Sequence, residues 1–546
     1  MSLISWVRRP MRTDTGRSEA KHKAQGTRRK AQSTNHQGEH MGGLLSVGPD
    51  DPRYEDLRRG ENPRFAGRPE RIVLVSSAAE IEQVLNEAVR DGSRVAVRSG
   101  GHCLEDFVSD PEVRVVLDMT RMSGVGFDEE RRAFVVESGA TLGTVYRTLY
   151  RLWGVTIPGG TCPEVGAGGH ILGGGYGPLS RLHGSVVDYL YAAEVVVVDA
   201  NGTARTVVAT REPDDPHHDL WWAHTGGGGG NFGVVVRYWL KSPDTEGELR
   251  QGEAAAPERL LPRPPSEVLL DTTVWPWDGL SREDFVRLVR NHGAWFERHS
   301  GPDSPWCGLY SVLALTRRQS GALAMTTQLD AGLPQAADML RSYVDAVSDG
   351  LPVRPHSRTL RMPWLHGTRW PGTAGDGDPT ARTKIKVAYA RRRLTDRRIG
   401  TVHDHLTDPA HDIGGGVVAL ISYGGRVNAV PPGRTAVPQR DSILKVVYGS
   451  TWQDAAQDAE QLGWVRELYR DVYADTGGVP VPDEDSDGAY INYPDVDLAD
   501  PAWNTSGVQW PELYYGEALA RLRRIKAEWD PGNVFRHALS IPAAGA

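Results

Sequence analysis

The feature that most constrains this chain is where its glycines fall. Three dense stretches, RSGGHCLEDF (Arg98–Phe107), PGGTCPEVGAGGHILGGGYG (Pro158–Gly177) and TGGGGGNFG (Thr225–Gly233), lie within the first 242 residues. Glycine lets bare backbone N–H groups converge on a ligand, and a pyrophosphate is the ligand that most often uses them. None of the stretches matches GxxxxGK[ST], which removes the P-loop. The second has no strand directly before it, so it is a poor dinucleotide-binding βαβ fingerprint. Trp221, Trp222 and Phe232 flank the third, which is therefore expected to be packed within the fold rather than to act as a linker.

Around these clusters the pattern alternates strand and helix. RIVLVSS (Arg71–Ser77), an amphipathic helix over AAEIEQVLNEAVRDG and the strand SRVAVRSGG read as a βαβ opening. VRVVLDMTRM, RAFVVESGA, the helix TLGTVYRTLYRLWG, the strand VTIPGG and a hairpin over Ala192–Ala209 with Asn201-Gly202 at its turn continue it. After about Ser242 come longer helices (REDFVRLVRNHGAWFERH) and strands (GLYSVLAL, GGVVALISYGG, ILKVVYGSTW). The C-terminal stretch carries an amphipathic helix stopped by Asp-Pro-Gly. At 546 residues the chain is too long for one compact core. Segments 1–45, 46–242, 243–488 and 489–546 are the expected units, the first a basic disordered tail, with Met41 a candidate alternative start.

A formal net charge of −8 argues against nucleic acid as partner, and no apolar run is long enough to span a membrane. Three cysteines cannot build a disulfide framework, and no hydrophobic segment follows Arg8–Arg9, so a cytoplasmic setting is expected. His102, Cys103, Cys162 and His170 have no metal-ligand spacing, and no metal is expected. A Cys–His nucleophile pair and plain packing both remain open from spacing alone.

Taken together, RSGGHCLEDF, GGTCPEVGAGGHILGGGYGPLSRLHG, GGGGGNFGVVV, YINYPDVDL (Tyr490–Leu498) and WDPGNVFRHALSI (Trp529–Ile541) resemble the berberine-bridge-enzyme-like branch of the FAD-linked oxidases, in the family's order from Pro52 onward. The resemblance implies an α+β fold: a PCMH-type FAD-binding domain made of 46–242 and 489–546, with a substrate domain inserted between them on an antiparallel sheet flanked by helices. It implies FAD bonded covalently at His102 through the flavin 8α-methyl and at Cys162 through ring carbon 6. Withdrawing electron density and fixing the ring plane should raise its potential, so that it accepts hydride from a weakly reducing alcohol. Cofactor contacts are implied for Arg98, Ser99, Gly100, Gly101 and Cys103; for Gly160, Thr161, Val165, Gly166, Ala167, Gly168, Gly169, His170, Gly174 and Gly175; and for Gly229, Gly230, Asn231, Gly233, Val234, Tyr490 and Asn492.

The same resemblance makes a tyrosine of YxNY the catalytic base. A tyrosine at its ordinary pKa of about 10 is a poor base without help. Strand alternation would put Tyr490 and Tyr493 on opposite faces, and Tyr493 is chosen, with Tyr176 of GGGYG assisting. Ala429 in GGRVNAV stands where the alkaloid-cyclising members carry a glutamate, so ring closure is not expected. Ala167, at the position that gates oxygen in the family, is small, so dioxygen is expected as acceptor with hydrogen peroxide released. The nearest likeness within the family is to hexose oxidases of teicoplanin-type glycopeptide pathways. It implies oxidation at position 6 of an acylglucosamine by a monomer or homodimer; an oligosaccharide anomeric carbon or a polyketide deoxysugar is the alternative. Trp275, Trp277, Trp364, Trp370, Trp510, Tyr514 and Tyr515 are candidates for stacking on substrate, against the plainer alternative of packing.

Overall fold

The computed structural model describes residues 43–243, 256–370, 378–411 and 414–544. Most of the expected N-terminal tail, residues 1–42, lies outside them. The first sheet joins β1 (Ser46–Val47), β2 (Arg71–Leu74), β3 (Arg94–Arg98) and β4 (Val113–Asp118) in the order β1-β2-β4-β3. Its β2/β4 and β3/β4 pairs are parallel. Parallel strands need a crossover, and α1 (Ala78–Arg90) supplies it between β2 and β3. Ser77 caps α1 by accepting from the Glu80 N–H, and Ile81, Val84, Leu85 and Ala88 bury one face at helical spacing.

The second sheet is antiparallel throughout. It contains β5 (Val125–Asp128), β6 (Ala133–Glu137), β7 (Leu190–Val198), β8 (Ala204–Thr210) and β9 (Val234–Leu240), ordered β5-β6-β9-β7-β8. Between β6 and β7 run α2 (Leu142–Trp153) and the short α3 (Ala167–Leu172). Thr141 caps α2, Gly154 ends it with a left-handed backbone at φ 68°, and Leu142, Val145 and Leu149 are buried. Each such side chain contributes roughly 1.5–3 kcal/mol of hydrophobic stabilisation. VTIPGG joins no sheet, so the expected strand there is a loop.

The third sheet belongs to the segment after Ser242. It contains β10 (Glu267–Pro276), β11 (Tyr310–Thr316), β12 (Ala322–Asp330), β13 (His356–Pro363), β14 (Arg382–Ala390), β15 (Gly416–Ser422) and β16 (Leu444–Trp452), all antiparallel in the order β13-β10-β12-β11-β15-β16-β14. Helices α4 (Arg282–His299), α5 (Ala336–Ser348), α6 (Asp396–Thr407) and α7 (Asp458–Val472) accompany it. The core runs without a break from α2 and β9 into β11, β15 and β16, so the second and third sheets share one apolar interior. The C-terminal α8 (Leu519–Trp529) returns to the glycine run of the first half. Lys526 Nζ donates to the Asn231 carbonyl at 2.8 Å, and the Ile541 N–H donates to Asn231 Oδ1 at 2.9 Å.

The aromatic residues named as stacking candidates have gone into packing. Trp275, Trp277, Trp364, Tyr514 and Tyr515 are buried in the core, while Trp370 and Trp510 lie half-buried against it. Among the described residues, no helix is long and apolar enough to cross a membrane.

Candidate active site

Two glycine loops meet at the centre of the molecule. A Cβ on Gly100 would stand 2.3 Å from the Gly166 N, and one on Gly166 would stand 2.0 Å from Ser99 Oγ and 2.3 Å from the Gly100 N. No side chain fits there, and this abutment is the physical reason for glycine in both motifs. The contact sets the loop ending in His102 beside the loop ending in Cys162. Ser99 Oγ donates to the Ser138 carbonyl at 2.6 Å and fixes the first loop. The second is gripped at Gly160, whose N–H donates to His170 Nε2 at 3.1 Å and whose carbonyl accepts from the Tyr146 hydroxyl at 2.6 Å.

The cavity between the glycine half and the third sheet is lined by Arg98–Leu104, Gly160–Cys162, Val165, Gly166, Gly168–His170, Tyr176, Gly229–Asn231, Gly233 and Val234. Tyr490, Asn492 and Tyr493 line it from the C-terminal segment. Three expected cofactor residues do not reach it. Ala167 is the first residue of α3 and faces the core, fully buried, so its small size leaves no space in the cavity. Gly174 and Gly175 serve packing: a Cβ would meet Val437 at the first, and Val186 and the His170 ring at the second. Arg98 lines the cavity, but its guanidinium is engaged elsewhere. Its Nε donates to Asp118 Oδ2 at 3.0 Å, and its Nη1 reaches the Leu57 and Arg59 carbonyls.

His102 and its neighbour differ in chemistry. Burial holds the His102 imidazole down to about 4, so the ring is neutral. The ring hydrogen-bonds to the Glu164 backbone, while its Nε2 is buried with no hydrogen-bond partner and lies 4.0 Å from Glu61 Oε1. His102 lines the cavity, and an orphaned neutral imidazole nitrogen is a ready nucleophile or acceptor. Burial pushes the adjacent Cys103 thiol up to about 12, which leaves it protonated and inert.

Tyr490 and Tyr493 do not alternate on a strand. The Tyr493 N–H donates to the Tyr490 carbonyl at 2.9 Å across a turn, which carries both rings to the cavity with centroids 5.4 Å apart. Their hydroxyls are not equivalent. Tyr490 Oη accepts from Asn492 Nδ2 at 2.9 Å, and Tyr176 Oη donates to the Ser422 carbonyl. Tyr493 is half-buried and makes no side-chain hydrogen bond among the described residues. Burial lifts Tyr493 to about 12 and raises the other two as well.

Sequence reasoning missed the residue at the middle of this trio. Lys445 on β16 is 3% exposed, and its Nζ lies 4.3 Å from the Tyr490 ring centroid, 4.8 Å from Tyr176 and 5.1 Å from Tyr493. No carboxylate pairs with it among the described residues, and burial drives it down to about 7. The ring faces attract its charged form through their quadrupoles while burial favours the free amine, so Lys445 can take up or release a proton beside the tyrosines. The signal was present in ILKVVYG, where a lone lysine interrupts an apolar strand. His537 was missed too. It stacks on Phe107 at 4.0 Å in the far wall of the cavity.

These walls suit a flavin dinucleotide. Bare backbone from three glycine stretches lines the cavity together with His102 and Cys162, and Cys162 lies near enough to Tyr493 to act on its hydroxyl. Comparison with known proteins agrees. An FAD binding domain model matches residues 69–207, and a berberine and berberine-like model matches 489–542. The aclacinomycin-N/aclacinomycin-A oxidase of Streptomyces galilaeus is 50% identical over 92% of this chain and 90% of its own. The hexose oxidase of Chondrus crispus is 32% identical over 90% and 94%. The crystal structure of the glycopeptide hexose oxidase DBV29 complexed with teicoplanin superposes with a TM-score of 0.86 at 53% identity, covering 91% of this chain and 99% of that one. The chain belongs to the berberine-bridge-enzyme-like family of FAD-linked oxidases and is an FAD-dependent oxidase acting on CH–OH groups.

Proposed function

We propose that the substrate is a sugar carried on a glycopeptide, oxidised at the primary alcohol of position 6 of an acylglucosamine to the aldehyde, whose hydrate, formed with one water, is oxidised again to the carboxylic acid. Each of the two oxidations passes its electron pair to one dioxygen, which leaves as hydrogen peroxide; the likeness to enzymes named oxidases supports this acceptor. The single observation that carries the chemistry is the Lys445–tyrosine group in the cavity that His102 and Cys162 also line. The likeness to a hexose oxidase seen with teicoplanin favours the substrate class.

His102 and Cys162 would hold FAD covalently, and when bound it supplies the two-electron acceptor for the hydride of the alcohol carbon. The remaining work falls to this chain's residues. Tyr493 has the uncommitted hydroxyl and contacts the substrate oxygen. Tyr176 and Tyr490 are held as donor and acceptor by Ser422 and Asn492. Lys445, which titrates near neutrality, takes up the positive charge when the substrate proton enters the site. Because its free amine is the form that can gain a proton, kcat rises as pH rises through about 7. A limb that falls there would assign the active state to the ammonium instead.

A deoxysugar on a polyketide is the second reading, favoured by the identity to the aclacinomycin oxidase. A panel of glycopeptides and anthracycline glycosides, with product masses and peroxide counted per turnover, separates the two. Gain of one oxygen and loss of two hydrogens on the glycopeptide is the expected product. Turnover of the anthracycline alone would overturn the glycopeptide assignment.

A further inference from the structure

Outside the cavity, six charged side chains are packed into one cluster. Lys384 Nζ lies 2.6 Å from Glu105 Oε1, 2.8 Å from Asp495 Oδ1 and 3.3 Å from Asp497 Oδ2. Lys386 Nζ lies 2.5 Å from Asp495 Oδ2 and 3.0 Å from Asp497 Oδ2, and Arg466 Nη2 lies 2.7 Å from Asp497 Oδ1. Both lysines and all three carboxylates are under 5% exposed, with Arg466 at the rim. Three cations thus face three anions, and the buried group is neutral as a whole. Removing charges from water is costly, and replacing such a group by apolar side chains often leaves a protein as stable or more so. Stability alone is therefore a weak reason for its presence.

Its anchor points supply a better one. Glu105 follows His102 by three residues, Asp495 follows Tyr493 by two, and Lys384 lies between Thr383 and Ile385, which line the cavity. Side chains alternate along β14, so the strand sends its lysines to the cluster and their neighbours to the cavity. Asn62 duplicates one tie with neutral bonds, its Nδ2 donating to the Leu104 carbonyl at 3.3 Å and to the Thr383 carbonyl at 3.1 Å. The Tyr514 hydroxyl, which accepts from the Asp495 N–H at 2.9 Å, anchors the tyrosine segment from the other side.

We infer that Lys384, bridging Glu105 and Asp495, is a positioning residue that sets the His102 loop and the Tyr493 turn at a fixed separation against the sheet. The cluster then acts on the reaction through His102 and Tyr493 without touching substrate or cofactor. This rests on the assignment of His102 as tether and Tyr493 as proton acceptor.

The test uses the full chain as the flavin-loaded enzyme. Lys384→Met alone leaves an uncompensated buried anion and can unfold the chain. The decisive variant is the double substitution Lys384→Met with Glu105→Gln, which removes one charge of each sign and keeps the cluster neutral. The expected result is a Tm close to the parent's, kcat lower by about tenfold or more through misplacement of the reacting groups, and KM little changed. The share of chains bonded to flavin at His102, read by denatured mass in a Cys162→Ser background, falls as well. Lys384→Arg, which keeps the charge, restores most of both. The inference is overturned if the folded double variant keeps parental kcat and parental bonding, or if only Tm falls. Absence of any flavin bond in the parent chain would instead defeat the tether assignment, and the kcat against KM split would still decide the cluster.

Discussion

The two walls of the cavity are built on opposite principles. The glycine wall is backbone. Its shape depends on side chains being absent, as where Gly100 and Gly166 abut. The sheet wall is made of side chains on strands far apart in sequence, with Tyr310 and Val312 from β11, Ile421 from β15, and Lys445 and Val447 from β16. The first wall offers fixed dipoles and close approach, which suit a constant ligand such as a cofactor. The second carries the buried Lys445, and it is the side on which we propose that the substrate lies. An added methyl should therefore damage the first wall and leave the second serviceable, while removal of a polar atom should do the reverse.

The sharpest way to break this comparison is at the tyrosine turn that joins the walls. Tyr493→Phe should lower kcat by about a hundredfold or more, in the range of lost acid–base catalysis, with flavin content unchanged in the absorption spectrum. Unchanged turnover would remove Tyr493 as the proton acceptor. Lys445→Met should cost about a hundredfold in kcat and abolish the rising limb near pH 7 in a pH–rate profile. Gly166→Ala tests the backbone wall. The added Cβ meets backbone at 2.3 Å, so the chain should lose on the order of 1–3 kcal/mol or more, seen as a lower Tm and lower flavin content. A conservative change on the sheet wall, Val312→Ala, should leave flavin content at the parental level.

The smallest effect concerns acid. Burial holds His170, His183, His224 and His537 at about 4, whereas the unfolded chain binds those protons near the ordinary value of about 6.5. Between these values the unfolded state binds more protons, so stability drops as pH falls from about 6.5 to about 4. Thermal melts across that window should show a declining Tm, and His170→Gln should flatten the decline. Three of these histidines serve the glycine wall: His170 grips Gly160, His224 stands beside Phe232, and His537 Nε2 donates to the Gly229 carbonyl at 3.1 Å. Acid should therefore loosen that wall first.

Legibility followed the same division. That His102, Cys162 and most of the glycines line one cavity was readable because each motif is contiguous and its backbone requirement is local. Periodicity found the strands of the βαβ opening, the Ala192–Ala209 hairpin and three strands of the third sheet (β11, β15 and β16), but not β10, β12, β13 or β14, and VTIPGG forms no strand. Tyr490 and Tyr493 were named, but their relation was misjudged, because two residues of turn put both rings on one side. Ala167 was placed in the cavity by motif position, whereas helix geometry turns it into the core. Lys445 showed only as an anomaly in an apolar strand.

By itself the sequence determined the family and the glycine-lined cradle in which His102 and Cys162 both stand, since those depend on short-range steric rules and on motifs read in order. The tertiary structure alone decided which tyrosine hydroxyl is uncommitted, which lysine faces it and which charges are locked together behind it. Those properties arise from burial and from contacts between strands and loops hundreds of residues apart, as between Lys384 and Glu105 or Tyr176 and Ser422. The strength of a charge or a proton acceptor is set by what surrounds it, and the surroundings exist only once the sheet has closed over the glycine loops.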